Sequence, residues 1–357
     1  MKIFGEELSA QELKKYFGDM SQIADIRRCI ISEGRATGTD IFDVKTGSGL
    51  VYTVLPNRGM DIADASYKGV PLSFISKTGI VSSQYYASES TGFLRNFFGG
   101  LLTTCGLMNA GPQCEVDGEM HRMHGRISNT PAYQVGYQCS WVGDEYELMM
   151  QGTVKESRLF GENLTLKRTI VSRLGQSVIK IHDVITNEGF DDTPFMLLYH
   201  MNLGYPVVSR HSLFIVPSRN VVARDEEAKK GIDDWERMQD PTHGYREQVF
   251  FHDLASDADG NTLYGVINEK LSMGVYFRIN KNQLPCFTQW KMMGEQDYTL
   301  GLEPGVNIPE GRLAAHNNGH LKVLKPQEEY VVDIEFGVIE GPDAIEDFKH
   351  RVKSLMK

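Results

Sequence analysis

The sequence predicts an all-β fold, a large antiparallel β-sandwich with short helices near its ends. Apolar and polar residues alternate with a period of two through most of the chain, as in strands with one buried face. The clearest run is Tyr330 to Val338, and shorter ones lie at 145–151, 164–167 and 275–279. Turn-forming residues such as Asp259-Gly260-Asn261 separate these runs. Many short antiparallel strands therefore make up the predicted fold.

Three segments depart from this alternation. Ser9 to Glu12 forms an S-x-x-E capping box, which predicts the start of a helix. From Asp343 to Met356 the apolar residues recur at three- and four-residue spacing, which predicts a terminal helix. The polar segment from Ala223 to His243 has little periodicity, so we expect a long surface loop or a short irregular helix there.

Composition limits the possible classes of protein. The 357 residues are 41% hydrophobic, enough for a large core, and no Gly/Ser/Pro-rich linker divides them, so we expect one domain over 1–357. With 47 acidic against 37 scattered basic residues, the net charge of −10 argues against nucleic acid as a partner.

The sequence also predicts the compartment. No leader-like apolar stretch and no membrane-length apolar run is present, so we expect a cytoplasmic protein that does not bind membranes. Five cysteines without a CxxC pair suggest neither a disulfide framework nor structural zinc. A homodimer is a further possibility.

A first candidate site lies at 120–132, MHRMHGRISNTPA, which contains two histidines, two arginines and a turn. On a helix, His121 and His124 would lie on one face, but Gly125 and Pro131 favour an extended chain, in which residues three apart point to opposite faces. This disfavours a metal site. Between a histidine that only stabilises its loop and one that contacts a ligand, we favour the ligand role for His124.

Two further candidates are polar residues in apolar strands. His200 lies within 195–206, FMLLYHMNLGYP, where burial would keep its imidazole neutral unless a carboxylate is near. Glu303 ends an apolar strand directly before Pro304, a place where a carboxylate needs a partner or a polar ligand. In that environment it could act as a general base. The alternatives are a hydrogen-bonded core histidine and an exposed acid at a strand end.

Arginine and tryptophan residues give weaker signals. Arg58, Arg95 and Trp290 suit a sugar cleft, because arginine donates paired hydrogen bonds to hydroxyl groups and flat sugar faces pack on aromatic rings. Arg58 could instead pair with Asp61 on the surface, and Trp290 could belong to the core.

The order of these segments resembles the galactose mutarotase-like, or aldose 1-epimerase, family. Met123-His124-Gly125-Arg126 resembles the family's LHGG-like loop, Tyr199-His200-Met201-Asn202-Leu203 its NHxYFNL-like strand end, and Gly301-Leu302-Glu303-Pro304-Gly305 its LEPQ-like strand end. The similarity extends over roughly residues 25 to 340. It is strongest to a divergent branch of the family, marked by NRGMDI, HGRISNTPA and GLEPGVN.

Two family features have no clear counterpart. The family's GRxANR arginine is missing from Gly99-Gly100-Leu101-Leu102, so Arg95 or Arg58 would have to replace it. Its sugar-binding aspartate is equally hard to place, and Asp225 and Asp234 are the candidates in the polar segment.

The resemblance implies an enzyme that interconverts the α and β anomers of a sugar without metal or redox cofactor. Glu303 would be the base and His200 the acid, and His124, Asn202, Trp290 and an arginine would bind the carbohydrate. Two other functions stay open. One is a carbohydrate-binding or sensor protein without catalysis, and the other is a metal-dependent isomerase or hydrolase that uses His121, His124, His200 and Glu303 as ligands.

Overall fold

The structure is a computed structural model that describes residues 1–87 and 89–357. In chain order the strands are β1 (Lys2–Ile3), β2 (Glu6–Glu7), β3 (Asp25–Ile30), β4 (Asp40–Lys45), β5 (Leu50–Leu55), β6 (Asp61–Tyr67), β7 (Val70–Pro71), β8 (Thr103–Leu107), β9 (Cys114–Val116), β10 (Glu119–His121), β11 (Tyr133–Val142), β12 (Glu145–Ser157), β13 (Asn163–Arg173), β14 (Val178–Asn187), β15 (Thr193–Gly204), β16 (Ser212–Ile215), β17 (Ser218–Ala223), β18 (Gln248–Leu254), β19 (Asn261–Asn268), β20 (Met273–Asn280), β21 (Cys286–Met293), β22 (Tyr298–Gly305), β23 (Lys322–Leu324) and β24 (Glu329–Glu340).

Helices are few and short. The α-helices are α1 (Ala10–Leu13), α2 (Glu226–Lys229), α3 (Arg312–Asn317) and α4 (Pro342–Ser354). Short 3-10 helices lie at Met20–Gln22, Gly34–Ala36, Ser83–Tyr85, Ser90–Arg95, Ile127–Asn129 and Glu269–Leu271. No helix of the described residues is long and apolar enough to cross a membrane.

Three large antiparallel sheets form the body of the protein. One has eight strands in the order β11-β12-β13-β14-β24-β20-β19-β16, and one has five in the order β3 to β7. The third has the order β17-β18-β21-β22-β15-β23, with β8 pairing alongside β15. Their inner faces share one buried apolar cluster, to which Phe42, Leu148 and Leu302 contribute from the three sheets. The predicted all-β sandwich is confirmed.

Strand alternation follows the sequence pattern. In β24 Val332, Ile334 and Phe336 are buried while Val331 and Asp333 are exposed, as the alternation of apolar residues predicted. Burying this apolar face removes its side chains from water, which contributes roughly 1.5–3 kcal/mol for each large one.

The predicted helices are present at both ends. Ser9 accepts a hydrogen bond from the Glu12 amide, and Glu12 accepts one from the Ser9 amide, which completes the capping box of α1. In α4 the buried side chains of Ile345, Phe348 and Val352 pack across strands β19, β20 and β24 of the eight-stranded sheet. The polar segment from 223 to 243 contains one short helix, α2, and otherwise irregular chain.

Candidate active site

The register of two neighbouring strands brings His200 and Glu303 together. Met201 of β15 lies opposite Leu302 of β22 in the antiparallel pair. His200 and Glu303, one residue further along, therefore lie opposite each other, with their side chains on the other face of the sheet. The Nε2 atom of His200 is 3.2 Å from Oε1 of Glu303. Both residues are almost fully buried, at 6% and 3% exposed. The two candidates named from the sequence are therefore one pair.

The pair lies at the floor of an open cleft of about 570 Å³. The cleft is walled by aromatic and aliphatic side chains and a few polar groups: Phe93, Leu94, Phe97, Gly111, Pro112, Met123, His124, His200, Arg224, Glu247, Val249, Thr288, Trp290, Glu303, Pro309 and Glu310. A cleft of this size, mostly apolar with a few converging polar groups, is typical of a small-molecule site.

Trp290 reaches the cleft from the adjacent strand β21. It lies opposite Gly301, and Thr288 lies opposite Glu303. Gly301 leaves the space that both side chains need, because a Cβ there would be 3.0 Å from the Trp290 ring and 3.1 Å from Oε1 of Glu303. The rings of Trp290 and His200 are 5.3 Å apart, edge to face. Trp290 is thus a wall of the cleft, as a sugar-stacking residue requires.

His124 approaches from the loop after β10. Its backbone has a positive φ of 53°, and its Nδ1 accepts a hydrogen bond from the Gly111 amide at 3.3 Å. Because Nδ1 is the acceptor, the hydrogen of the neutral ring is on Nε2, which makes that nitrogen a donor. The His124 ring is 6.0 Å from the His200 ring and 4.9 Å from Phe93.

Burial sets the protonation of the three groups. It raises the pKa of Glu303 to about 8, assisted by the charge of Glu247 and opposed by Arg224. It lowers the pKa of His200 to about 3, with His124 adding to the effect, and lowers the pKa of His124 to about 4. At neutral pH Glu303 is therefore protonated and His200 is neutral.

The charged wall of the cleft is formed by Arg224 and Glu247, which the sequence analysis did not identify. Glu247 accepts a hydrogen bond from the indole Nε1–H of Trp290 at 2.8 Å and another from the Arg224 guanidinium at 2.9 Å. Arg224 directly follows β17 and Glu247 directly precedes β18, and a charged residue at a strand end is too common to mark a site. Pairing of β17, β18 and β21 brings them to Trp290.

Several residues named from the sequence lie outside the cleft lining. Arg58 is 1% exposed, and its guanidinium donates to the backbone carbonyls of Ser128, Val81 and Asn96. The alternative for Arg58, a surface pair with Asp61, is wrong, because Asp61 is also buried and pairs with Arg168.

Arg95 and Asn202 do not line the cleft either. The Arg95 side chain is exposed at the end of a 3-10 helix next to the cleft, outside its lining. Asn202 is fully buried and donates its amide hydrogens to the carbonyls of Gly100 and His200, so it stabilises the strand that carries His200.

The candidate aspartates and the second histidine also lie elsewhere. Asp225 caps the N-terminus of α2 and pairs with Arg224, while the backbone carbonyl of Asp234 accepts from Lys291. His121 lines a separate cavity. Of the four ligands of the metal-dependent alternative, His124, His200 and Glu303 line the cleft and His121 does not. In the part of the chain that the structure describes, no group of His, Cys, Asp or Glu is arranged to hold a metal ion.

The sheets and the cleft define a β-sandwich protein with a buried histidine–glutamate pair at the floor of a small-molecule site. Over residues 36–338 the chain matches the family described as Domain of unknown function (DUF4432), and it belongs to that family. A comparison with curated proteins found no significant match.

Solved structures share the fold. A candidate aldose 1-epimerase from Klebsiella pneumoniae is 24% identical, with 95% of this chain and 91% of that chain covered and a TM-score of 0.90. A galactose mutarotase-like protein from Clostridium acetobutylicum is 15% identical, with coverage of 89% and 99% and a TM-score of 0.62. A galactose 1-epimerase from Lactobacillus acidophilus is 13% identical, with coverage of 89% and 100% and a TM-score of 0.56. The predicted galactose mutarotase-like fold is confirmed.

Proposed function

We propose that the protein is an isomerase of the aldose 1-epimerase type, which interconverts the anomers of a small carbohydrate in the cleft. The observation that carries the proposal is the His200–Glu303 pair, 3.2 Å apart at the cleft floor beside His124 and Trp290. An acid and a base next to an aromatic wall are the groups that opening a sugar hemiacetal requires. The shared fold of the solved structures supports the same reaction.

The proposed reaction opens and recloses the sugar ring. Glu303, as the carboxylate, removes the proton from the anomeric hydroxyl while the bond between the anomeric carbon and the ring oxygen breaks. Protonated His200 donates its proton to the ring oxygen, which leaves an open-chain aldehyde. Rotation about the bond next to the aldehyde and reversal of both proton transfers give the other anomer. His124 Nε2–H donates to the ring oxygen or to a neighbouring hydroxyl group.

This mechanism uses the resting proton of the pair. In the resting state the proton is on Glu303 and His200 is neutral. The reacting state has the same number of protons and differs only by transfer of one of them between atoms 3.2 Å apart. A bound hydroxyl that donates to Glu303, and a ring oxygen that accepts from His200, both stabilise the reacting arrangement.

The experiment is polarimetry of freshly dissolved α-anomers across a panel of neutral aldoses, sugar phosphates, uronates and sulfonated sugars. We expect the wild-type protein to accelerate mutarotation of at least one of them. Glu303→Gln and His200→Asn should each lower turnover by ~10²–10⁴-fold. Glu303→Gln should still bind the sugar.

The chain offers a matched control pair on its surface. His243 Nδ1 and Glu295 Oε2 are 2.8 Å apart, with side chains 94% and 58% exposed. His243→Asn and Glu295→Gln make the same changes of residue type on the exposed surface, outside the cleft lining, so both should retain wild-type turnover. Unchanged turnover in Glu303→Gln would contradict the proposed role of that residue.

One observation favours a second function, carbohydrate binding without catalysis. Burial places the resting proton on Glu303, the opposite of the distribution that the reaction needs. A sugar that binds without moving this proton would be held and not converted. The same panel separates the two functions, because a binding protein would show a saturable thermal shift with a sugar whose mutarotation it does not accelerate.

A further inference from the structure

A second cavity lies on the other side of the loop that carries His124. It has a volume of about 160 Å³, and its charged lining consists of Glu119, Arg122, Arg126, Glu156, Arg158 and Glu162. Met123 and His124 line the sugar cleft, whereas Arg122 and Gly125 on either side of them line this cavity. One short loop therefore separates the two sites.

Two of the three arginines in this cavity have no anionic partner. Arg158 forms ion pairs with Glu119 at 2.8 Å and with Glu162 at 3.3 Å. Arg122 and Arg126 form none among the described residues, and Nε of Arg122 is buried without a protein acceptor. The Arg122 guanidinium makes one long hydrogen bond, at 3.4 Å to Gln113. Oε2 of Glu162 in the same lining is also buried without a hydrogen-bond partner, but it lies beside Arg158 and is not within ion-pair distance of Arg122 or Arg126. The donors of Arg122 and Arg126 therefore need another acceptor.

Glu156 lines the same cavity but forms no ion pair with either arginine. The residue is 8% exposed, and its Oε2 accepts a hydrogen bond from the Leu107 amide at 2.8 Å. No arginine is within ion-pair distance of its carboxyl group among the described residues. If Glu156 is protonated, the lining has three arginines against two ionised glutamates, and the acid hydrogen also needs an acceptor.

We propose that this cavity binds a small tetrahedral oxyanion, sulfate or phosphate, which accepts hydrogen bonds from Arg122 and Arg126 beside the carboxyl group of Glu156. Such an anion provides acceptors for both arginines and for the acid hydrogen of Glu156, and it balances the remaining positive charge. A neutral or cationic ligand would leave the arginine charge uncompensated. Anion binding here does not require the sugar chemistry proposed above.

The proton on Glu156 makes the proposed binding depend on pH. Burial raises the pKa of Glu156 to about 7, opposed by the Leu107 hydrogen bond and nearby arginines. Ionisation above that pH would place a carboxylate against the anion. The charged and titratable groups around Glu156 are Glu119 and His121 of β10, Arg122, Arg126, Arg158, Glu162, Tyr86 and Arg312. Burial lowers the pKa of His121, so this histidine loses its proton before Glu156 does.

Binding at this cavity would also affect the His124 loop. Gly125 packs against the backbone of Gly106 so closely that a Cβ would be 1.9 Å from the Gly106 carbonyl oxygen. An anion held by Arg122 and Arg126 contacts the loop on both sides of His124. We expect it to stabilise the position of that imidazole in the cleft.

The test is sulfate binding to the full-length protein by calorimetry and thermal shift, with sodium chloride at equal ionic strength as the reference. Sulfate keeps its charge between about pH 6 and about pH 8.5, so any change in affinity over this range comes from the protein. If only the protonated form binds, affinity should fall by at least ~10-fold across that range, because the apparent dissociation constant scales with the fraction of protein in the binding state.

Four variants locate the site. Arg122→Gln and the exposed Arg126→Gln should each weaken sulfate binding by about 10-fold or more. Arg219→Gln, an exposed arginine of β17, should bind as the wild type does. Glu156→Gln should bind sulfate with an affinity that no longer depends on pH.

Two results would overturn the proposal. One is the absence of saturable sulfate binding beyond the chloride reference at the lower pH, in a wild-type protein that is folded. The other is unchanged affinity in Arg126→Gln, a surface variant whose folding is not at risk. A pH dependence that persists in Glu156→Gln would remove Glu156 from the site.

Discussion

Nε2 of His200 lies 3.2 Å from Oε1 of Glu303, on adjacent strands of one sheet, and both side chains are almost fully buried at the floor of the cleft. An isolated charge in such a place is costly, so the two groups share one proton over a wide pH range. A proton can pass directly between two atoms at this distance. Ring opening removes one proton and delivers another, so a pair that can hold its proton on either group can serve both steps.

The first prediction is a pH profile of kcat/KM with an alkaline limb near pH 8. The pKa of Glu303 is raised to about 8, so Glu303 loses its proton as the pH rises through that value, the pair can no longer supply the acid, and kcat/KM should fall. On the acid side, kcat/KM should fall as His124 gains a proton near pH 4. The measurement is kcat/KM by exchange NMR between about pH 4 and about pH 10, because kcat/KM reports the pKa values of the sugar-free protein. Constant kcat/KM across the alkaline range would contradict the assignment.

The same pKa predicts a change in stability with pH. In the unfolded chain a glutamate titrates near 4.3, so folding takes up a proton between that value and about 8, and stability falls as the pH rises through this window. Glu303→Gln removes the buried carboxylate, and we expect it to raise the free energy of unfolding at about pH 9 by roughly 1–3 kcal/mol. Urea unfolding of the wild type and Glu303→Gln at about pH 6 and about pH 9 measures this difference. An equal change in the free energy of unfolding at both pH values would argue against a raised pKa of Glu303.

Trp290 and Glu247 are both expected to act on sugar binding. Their hydrogen bond at 2.8 Å fixes the aromatic wall of the cleft, so Glu247→Gln and Trp290→Phe should each raise KM by about 3- to 10-fold. Trp290→Phe should change kcat by less than about 2-fold, because binding that is equal in ground and transition states affects KM alone. Glu247→Gln should also move the alkaline limb of the pH profile to lower pH, because the charge of Glu247 helps to raise the pKa of Glu303. A fall in kcat at constant KM would place Glu247 in the chemical step.

The sequence predicted the parts of this site that lie in strands. His200 and Glu303 are polar residues within apolar runs, and that contrast is visible locally because β15 and β22 are buried on both faces. Arg58 lies in a turn, and its partners are backbone carbonyls of residues 81, 96 and 128, which no local pattern reveals. Arg224 directly follows β17 and Glu247 directly precedes β18, where a charged residue is too common to mark a site. Only sheet pairing brings them to the cleft.

A glycine next to His124 offers a test of loop geometry. Gly125 has φ +70°, and a Cβ there would be 1.9 Å from the Gly106 carbonyl oxygen, whereas Gly118 has φ +78° with nothing within 4 Å. Gly118→Ala should cost only the ~1–2 kcal/mol of the left-handed backbone conformation. Gly125→Ala adds a clash that must displace the loop, so it should cost more stability and lower turnover as well. Equal losses of stability in Gly118→Ala and Gly125→Ala, with unchanged turnover, would show that the loop accommodates the added methyl group without moving His124.

The last prediction concerns a buried charge cluster behind the site. Arg168 donates paired hydrogen bonds to Asp183 at 2.9 and 2.6 Å and contacts Asp61 at 3.1 Å. Tyr199, the residue before His200, donates to Asp183 at 2.7 Å from the opposite face of β15. Asp61 of the NRGMDI segment is buried because it is part of this charge cluster. Through Tyr199 the cluster stabilises the strand that presents His200.

Asp183→Asn leaves Arg168 buried with one carboxylate fewer, and we expect it to lower the free energy of unfolding by about 3–5 kcal/mol. Asp333→Asn is the control, because Asp333 is 57% exposed and pairs with His182 on the surface, so this variant should lose less than about 1 kcal/mol of stability.

We propose that residues 1–357 form one domain, because the three sheets share one core. Both losses should therefore appear in a single urea transition followed by circular dichroism and tryptophan fluorescence. Separate transitions for the two probes would contradict the one-domain assignment, and equal losses in the two variants would show that the buried cluster contributes no more than a surface pair.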